Sequence, residues 1–125
     1  MIRIEEVISI QEKLIESFGG IKGLRDLGLL DSALKRPFMT FGQKDLYDSI
    51  FEKASVLVLG IIQNHPFIDG NKRIGYFVFR AFLLSQGYDI TADENEKYDF
   101  VITIAKGDLS YSDILQWIKV HSVKV

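Results

Sequence analysis

Apolar residues recur at intervals of three and four along most of the chain, a spacing that predicts helices rather than strands. The first periodic stretch covers residues 4–18 and ends at Gly19-Gly20, which supply a stop. A second, short helix is predicted to begin at Asp26 or Leu27. It should end before Pro37, because residues that precede a proline avoid the α region.

The two most apolar segments, residues 56–62 and 74–84, lie in the middle of the chain. They predict a third helix over residues 45–64 and a fourth over residues 71–86, ended by Gly87. Because both segments are apolar on nearly every side, we expect the two helices to form a buried central pair. The polar residues between them would then lie in a loop held by two buried helices.

Capping signals predict the remaining helices. Thr91-Ala92-Asp93-Glu94 has the spacing of a capping box and predicts a fifth helix that ends at Gly107, and Ser110 begins the sixth. Residues 37–44 are typical of an extended segment, and the apolar run Phe38-Met39-Thr40-Phe41 within it predicts a short hairpin. The predicted fold class is all-α, a bundle of about six helices with one short flap segment.

Some polar and aromatic residues have simple structural explanations. Arg36 is better explained as a cation at a helix C-terminus than as a substrate contact. On the last helix, Tyr111, Ile114 and Trp117 should pack onto the core, and His121 should be exposed. We therefore assign no chemistry to these positions.

Composition narrows the class of protein. With 125 residues, 47% of them hydrophobic, the chain is expected to form one globular domain over residues 1–125. A net charge of −2 argues against a broad nucleic-acid-binding surface. The absence of cysteine excludes disulfides and is compatible with the cytosol. The acidic start and the short apolar runs do not suit a signal peptide or a membrane span, so we expect a cytoplasmic protein without membrane or nucleic-acid partners.

The loop between the central helices reads His-Pro-Phe-Ile-Asp-Gly-Asn-Lys-Arg over residues 65–73. His65 is a candidate general base, because an imidazole accepts a proton at neutral pH. Asp69 is a candidate Mg²⁺ ligand, since Mg²⁺ is commonly held by one or two carboxylates together with substrate phosphate oxygens. Phosphate binding is predicted for the residues that follow: Gly70, which lets the backbone come close, Asn71, a candidate helix cap, and the cations Lys72 and Arg73.

These residues resemble the motif of the Fic superfamily, which reads His-Pro-Phe-x-Asp/Glu-Gly-Asn, then Gly or Lys, then Arg. The lysine at position 72 is similar to the Doc branch, the death-on-curing toxins of bacterial toxin–antitoxin pairs. The resemblance extends over about residues 19–87 and includes further segments: Gly19-Gly20, Gly23-Leu24-Arg25-Asp26, residues 28–34, Arg36-Pro37 and Tyr47. It implies a Fic/Doc-like helical bundle with a flap, here residues 38–41, that pairs with the backbone of a target protein.

The resemblance to Doc also implies an activity. Such toxins transfer the terminal phosphoryl group of ATP, with Mg²⁺, to a hydroxyl of translation elongation factor Tu and so stop translation. They are restrained by a small Phd-like antitoxin. The self-restraining Ser/Thr-x-x-x-Glu motif of other Fic enzymes is absent from this chain, which agrees with restraint by a separate protein.

Two alternatives remain open at the level of sequence. One is a Fic-type nucleotidyltransferase that moves AMP to a protein hydroxyl. Lys72 and Tyr76 argue against it, because nucleotidylating enzymes have glycine and a second arginine at these positions, and Arg80 lies too far along the helix to replace that arginine. The other is a non-catalytic binding module with the Fic fold, which the intact motif disfavours.

Overall fold

The computed structural model describes residues 2–125. Six α-helices account for most of this part of the chain: α1 Ile4–Phe18, α2 Leu27–Lys35, α3 Ile50–Asn64, α4 Asn71–Ser85, α5 Glu94–Ala105 and α6 Tyr111–His121. Four short strands accompany them: β1 Thr40–Phe41, β2 Lys44–Asp45, β3 Tyr88–Ile90 and β4 Ser122–Lys124. The prediction of an all-α bundle of about six helices is confirmed.

The core is organised around the contact between α3 and α4, the most extensive between any two elements. Fully buried side chains from both helices meet here, including Ile61 and Ile62 of α3 and Ile74 of α4. Gly75 permits this contact, because a Cβ atom at this position would lie 2.7 Å from Cγ1 of Ile62. The predicted buried central pair is therefore confirmed, and it provides a rigid support for the loop at its end.

The third helix begins later than predicted. Residue 45 belongs to β2, and α3 begins only at Ile50. Ser49 is the N-cap: its hydroxyl accepts a hydrogen bond from the backbone N–H of Glu52, whose side chain accepts one from the N–H of Ser49. This capping box was present in the sequence as Ser-x-x-Glu and fixes the start of the helix more strongly than apolar spacing does.

The fifth helix also begins at a different cap. The capping box joins Asp93 and Glu96, so the box predicted from Thr91 is wrong. The backbone N–H of Thr91 instead donates to the carbonyl of His121, beside the small antiparallel sheet of β3 and β4. This sheet joins the end of the chain to the segment that follows α4, a long-range pairing that local patterns do not reveal.

His121 is not exposed as predicted. Its ring stacks on Trp117, with centroids 4.1 Å apart, and its Nδ1 lies 2.8 Å from the carbonyl of Trp117. Its Nε2 lies 3.1 Å from a carboxylate oxygen of Glu96, so the side chain joins α6 to α5. The predicted packing of Ile114 is confirmed, since this residue is fully buried.

The predicted flap is partly confirmed. Strands β1 and β2 form a hairpin in which Thr40 is opposite Asp45 and Phe41 is opposite Lys44. Phe38 is not part of it, because residues 36–38 form a 3-10 turn and the Phe38 ring packs against the buried Phe82 at 5.9 Å between centroids. Proline at the second position of this turn fits helical geometry, which explains why the extended prediction failed there.

None of the helices in residues 2–125 is both long enough and apolar enough to cross a membrane.

Candidate active site

The motif loop leaves α3 at His65 and enters α4 at Gly70, and both residues adopt the left-handed conformation, with φ of 47° and 76°. Asn71 was predicted to cap α4, and this is wrong. The N-cap is Gly70, and Asn71 is the first residue of the helix. Its side chain instead holds the loop: Oδ1 accepts from the N–H of Phe67 at 2.9 Å, and Nδ2 donates to the carbonyl of Phe67 at 3.0 Å. Phe67 is buried and anchors the loop in the core.

Residues 23–26 form backbone hydrogen bonds with the motif loop. The carbonyl of Pro66 accepts hydrogen bonds from the N–H groups of Arg25 and Asp26, at 2.8 and 3.0 Å, and the N–H of Ile68 donates to the carbonyl of Gly23 at 3.0 Å. The sequence had placed this segment within the family resemblance without assigning it a role. In the structure it aligns the loop by backbone pairing.

Arg25 supports the left-handed turn at His65. Its Nε donates to the carbonyl of His65 at 2.6 Å, and its Nη2 donates to the carbonyl of Asn64 at 2.7 Å. The last carbonyls of a helix have no partner within it, so the guanidinium both satisfies them and adds a favourable charge at the helix C-terminus. The His65 side chain itself is exposed and therefore accessible to a substrate hydroxyl.

Asp69 is exposed, and both of its carboxylate oxygens are positioned by backbone donors. Oδ1 accepts from the N–H of Gly70 at 3.1 Å, and Oδ2 accepts from the N–H of Ile21 at 3.2 Å. Gly20 has a φ of 115°, and a Cβ atom there would lie 2.8 Å from Oδ2, so a larger residue would strain the backbone and displace the carboxylate. Each carboxylate oxygen retains a lone pair for a cation.

Gln11, buried on α1, ties these two segments together. Its Nε2 donates to the carbonyl of Asp69 at 3.2 Å and, more weakly, to the carbonyl of Ile21 at 3.4 Å. Helical spacing gave no signal for this role, because the partner lies 58 residues away along the chain. Gln11 therefore fixes the backbone on both sides of the Asp69 carboxylate.

The second half of the motif opens into a cleft of about 400 Å³ between α4 and α5. Residues 69–73 and Tyr76 line one side, and α5 provides the other with Glu94, Lys97, Tyr98, Val101 and Ile102. The motif residues Asp69, Gly70, Asn71, Lys72 and Arg73 are thus brought together, whereas His65 lies outside the lining of the cleft. The sequence did not predict that these α5 residues line the cleft, because they belong to no motif.

Several side chains set the electrostatics of this cleft. Arg73 lies over the ring of Phe18, 4.3 Å from its centroid, which holds the cation against α1. Burial raises the pKa of Tyr76 to about 12, so its hydroxyl stays protonated at neutral pH. Arg80 donates to both carboxylate oxygens of Asp89, at 2.8 and 3.0 Å, and this hydrogen-bonded pair lowers the pKa of Asp89 to about 2. Arg80 is therefore occupied away from the motif.

The residues present fit a bound magnesium ion only if the substrate completes its ligands. Within residues 2–125, no group of three or more histidine, cysteine or acidic side chains is placed to hold a metal. Two exposed carboxylates line the cleft, Asp69 and Glu94, and of these Asp69 belongs to the motif, next to the residues predicted to bind phosphate. This donor set suits Mg²⁺, which usually keeps waters and shares one or two carboxylates with substrate phosphates.

Comparisons with known proteins agree with this geometry. A sequence model of the Fic/DOC family matches residues 1–83. The chain is 39% identical over 77 residues to a protein named Toxin Doc from Mycolicibacterium smegmatis, which covers 62% of this chain and 59% of that protein. It is 26% identical over 110 residues to a protein named Protein kinase doc from Escherichia phage P1, which covers 88% of this chain and 86% of that protein.

The matched region contains the whole motif loop and nearly all of α4, and both relatives carry the name Doc. The chain spans about three fifths of the length of the Mycolicibacterium relative. The resemblance seen in residues 65–73 is confirmed by these matches. This chain belongs to the Fic/DOC family.

Proposed function

We propose that this protein transfers the terminal phosphoryl group of ATP to a serine or threonine hydroxyl of another protein. The observation that carries the proposal is the cleft, where Asp69, Lys72 and Arg73 converge at the N-terminus of α4. Its volume of about 400 Å³ lies within the range of about 300–1,000 Å³ that is usual for small-molecule sites. The free N–H groups of a helix start favour an anion such as a phosphate.

Each motif residue has a distinct role in this reaction. His65, exposed at the end of α3, accepts the proton of the attacking hydroxyl. Lys72 and Arg73, with the N–H groups at the start of α4, bind the phosphate oxygens and offset the charge that develops on the transferred group. Gly70 leaves room for the phosphates near the backbone, and Asn71 keeps the loop in shape through its two bonds to Phe67.

Asp69 would hold Mg²⁺ together with the phosphates of ATP. When bound, the ion supplies positive charge that neutralises phosphate oxygens and orients them. The protein's own contribution is to fix the carboxylate, through the N–H of Ile21 and through Gln11 behind it. A fixed carboxylate loses less entropy when it binds a cation than a freely rotating one does.

Two features favour phosphoryl transfer over transfer of AMP. Lys72 extends a long charged side chain into the cleft at the position where nucleotidylating relatives have glycine. Tyr76 stands where those relatives have a second arginine, and its neutral phenol cannot replace that charge. Arg80 cannot do so either, because Asp89 binds it on both carboxylate oxygens. The intact motif also disfavours a non-catalytic binding module.

We infer the biological role of this protein from its relatives in the family. One relative is named a toxin and another a protein kinase, which supports a toxin that acts by phosphorylation. On the basis of the Doc resemblance we infer that the target is translation elongation factor Tu, that its modification stops translation in the cytoplasm, and that a Phd-like antitoxin restrains the activity. Neither nucleic acid nor membrane takes part.

Isotopic labelling tests the transferred group. The purified protein is incubated with a bacterial lysate and with ATP that carries radioactive phosphorus at either the γ or the α position. We expect label on a protein only from γ-labelled ATP, and only when Mg²⁺ is present. Label from α-labelled ATP would indicate transfer of AMP and would overturn the proposed reaction.

The flap is proposed to dock the target through backbone pairing. Thr40 and Phe41 form one edge of the β1–β2 hairpin; Phe41 is 84% exposed, and Met39 before it is 50% exposed. Phe41→Asp is expected to lower labelling of the target about tenfold or more, because it replaces an apolar contact with a charge. Val120→Asp is the control, since Val120 is 65% exposed near the C-terminal end of α6 and is not part of the hairpin. Equal labelling by the two variants would contradict the docking role.

A further inference from the structure

The β1–β2 hairpin has few contacts of its own that could keep its shape. Each strand contains two residues, and every residue from 39 to 46 is exposed, so no side chain of the hairpin is buried in the core. A two-stranded hairpin on its own is at best marginally stable in water. Contacts from outside the hairpin are therefore needed to hold it in the observed conformation.

The register of the hairpin shows which backbone groups remain free. The N–H of Leu46 donates to the carbonyl of Met39 at 2.9 Å, so these two residues are a hydrogen-bonded pair. Hydrogen-bonded and non-hydrogen-bonded pairs alternate along antiparallel strands, so the next pair, Thr40 and Asp45, is not hydrogen-bonded. The N–H and carbonyl of Thr40 consequently point away from β2, along the outer edge of β1.

Lys53, in the first turn of α3, binds the hairpin through β2. Its Nζ donates to a carboxylate oxygen of Asp45 at 3.1 Å and also to the carbonyl of Tyr47. The Lys53 side chain is 14% exposed, the lowest value for the basic residue of any ion pair within residues 2–125. Because a charge that is largely removed from water is costly unless it is paired, the ammonium group should stay with these two acceptors.

Other contacts hold the two ends of the hairpin. Before β1, the Phe38 ring packs against Phe82, and after β2 the Tyr47 ring lies 5.9 Å from that of Tyr111 between centroids. Neither contact involves a residue of β1 or β2. Lys53 differs from them, because it binds a side chain on one of the strands.

We propose that Lys53 is a positioning residue for the protein substrate. It fixes β2 through Asp45 and Tyr47, and it thereby presents the free edge of β1 in the conformation that pairs with the substrate backbone. The proposal rests on the proposed function for the docking role of the hairpin. Ordering a mobile segment during binding costs free energy, and a segment that is already ordered avoids this cost. Since Lys53 does not line the cleft, its loss should weaken docking without slowing the chemical step.

The first test uses the whole protein without ATP or target, so it does not depend on phosphoryl transfer. NMR order parameters are measured for the backbone N–H groups of Thr40 and Lys44. In Lys53→Met we expect them to fall from about 0.85, typical of rigid backbone, to below about 0.6. Lys35→Met is the matched control, because it removes an ion pair of similar length, 3.0 Å to Asp31, from α2. Unchanged order parameters in Lys53→Met, or an equal fall in the control, would overturn the proposal.

The second test is kinetic and uses the protein that γ-labelled ATP identifies as the target. Lys53→Met should raise the KM for that protein about fivefold, the upper range for loss of one partly exposed ion pair, and leave kcat near its original value. Lys35→Met should change neither constant. A fall in kcat with unchanged KM would show that Lys53 acts on the chemical step or on stability, and would contradict a docking role.

A double-variant cycle tests whether Lys53 acts through Asp45. Asp45→Asn should raise KM less than Lys53→Met does, because the bond from Lys53 to Tyr47 remains. The combined variant should match Lys53→Met alone, and effects that multiply would mean that the two residues act independently. If Lys53→Met does not fold, Asp45→Asn provides the order parameters and the KM instead. If γ-labelled ATP labels no protein, the proposed function is wrong, and the order parameters still decide whether Lys53 fixes the hairpin.

Discussion

Replacing His65 with asparagine is expected to lower the rate of phosphoryl transfer by about 10²–10⁴-fold, the usual contribution of a positioned general base. Asparagine is a better replacement than alanine, because His65 has a φ of 47° and asparagine tolerates the left-handed region. The backbone carbonyl that accepts from Arg25 is unchanged by the substitution. The fold should therefore persist, as circular dichroism and the melting temperature would show.

The second histidine is the matched control for this experiment. His121→Gln removes the contact with Glu96 and the stacking on Trp117, so it should lower the melting temperature. It should leave the initial rate of transfer from γ-labelled ATP nearly unchanged, since His121 lies on α6 outside the cleft. Full activity of the His65 variant would show that another group takes the proton.

Replacing Asp69 with asparagine is expected to reduce transfer and to raise the Mg²⁺ concentration needed for half-maximal rate. Removal of a residue that only orients a metal ligand costs about 10–100-fold, so loss of the ligand charge itself should cost at least as much. The amide oxygen of the variant can still accept from the N–H of Ile21, so the local backbone should be kept. Direct binding of Mn²⁺, measured by electron paramagnetic resonance with ATP present, provides a readout independent of activity.

Asp108→Asn is the control for the lost charge, because Asp108 is exposed in the connection between α5 and α6. This variant should keep both the rate and the Mg²⁺ dependence of the original protein. An Asp69→Asn variant with the original Mg²⁺ dependence would contradict the role of Asp69 as a metal ligand, whatever its rate.

The helices that sequence patterns predicted well are those whose ends carry strong local signals. Glycines after Phe18 and Asp26 before Leu27 fix the first two helices, and Ser110 fixes the last. The third helix begins five residues later than residue 45, the predicted start, because the capping box of Ser49 and Glu52 sets its first residue at Ile50. Strands β3 and β4 were missed, since each contains only three residues and gains its stability from its distant partner.

For the candidate site too, the sequence predicts some of the residues and not others. The order of residues 65–73 predicts the chemistry proposed for them, because a histidine, a carboxylate and two cations follow one another within nine residues. The partners that position them were not predictable. Gln11 and Arg25 reach the loop from 58 and 40 residues away, and the α5 wall of the cleft depends on how two helices pack. Such contacts are properties of the tertiary fold, which local spacing does not encode.

The most direct test of the central claim is the intact mass of elongation factor Tu after incubation with this protein, Mg²⁺ and ATP. The account predicts an increase equal to one phosphate, which disappears when the His65→Asn variant replaces the original protein. An increase equal to AMP would contradict phosphoryl transfer and show that Lys72 permits the nucleotidylating pose. An unchanged mass would refute elongation factor Tu as the target. The proposed chemistry would then stand only if the same treatment of a bacterial lysate added phosphate to another protein.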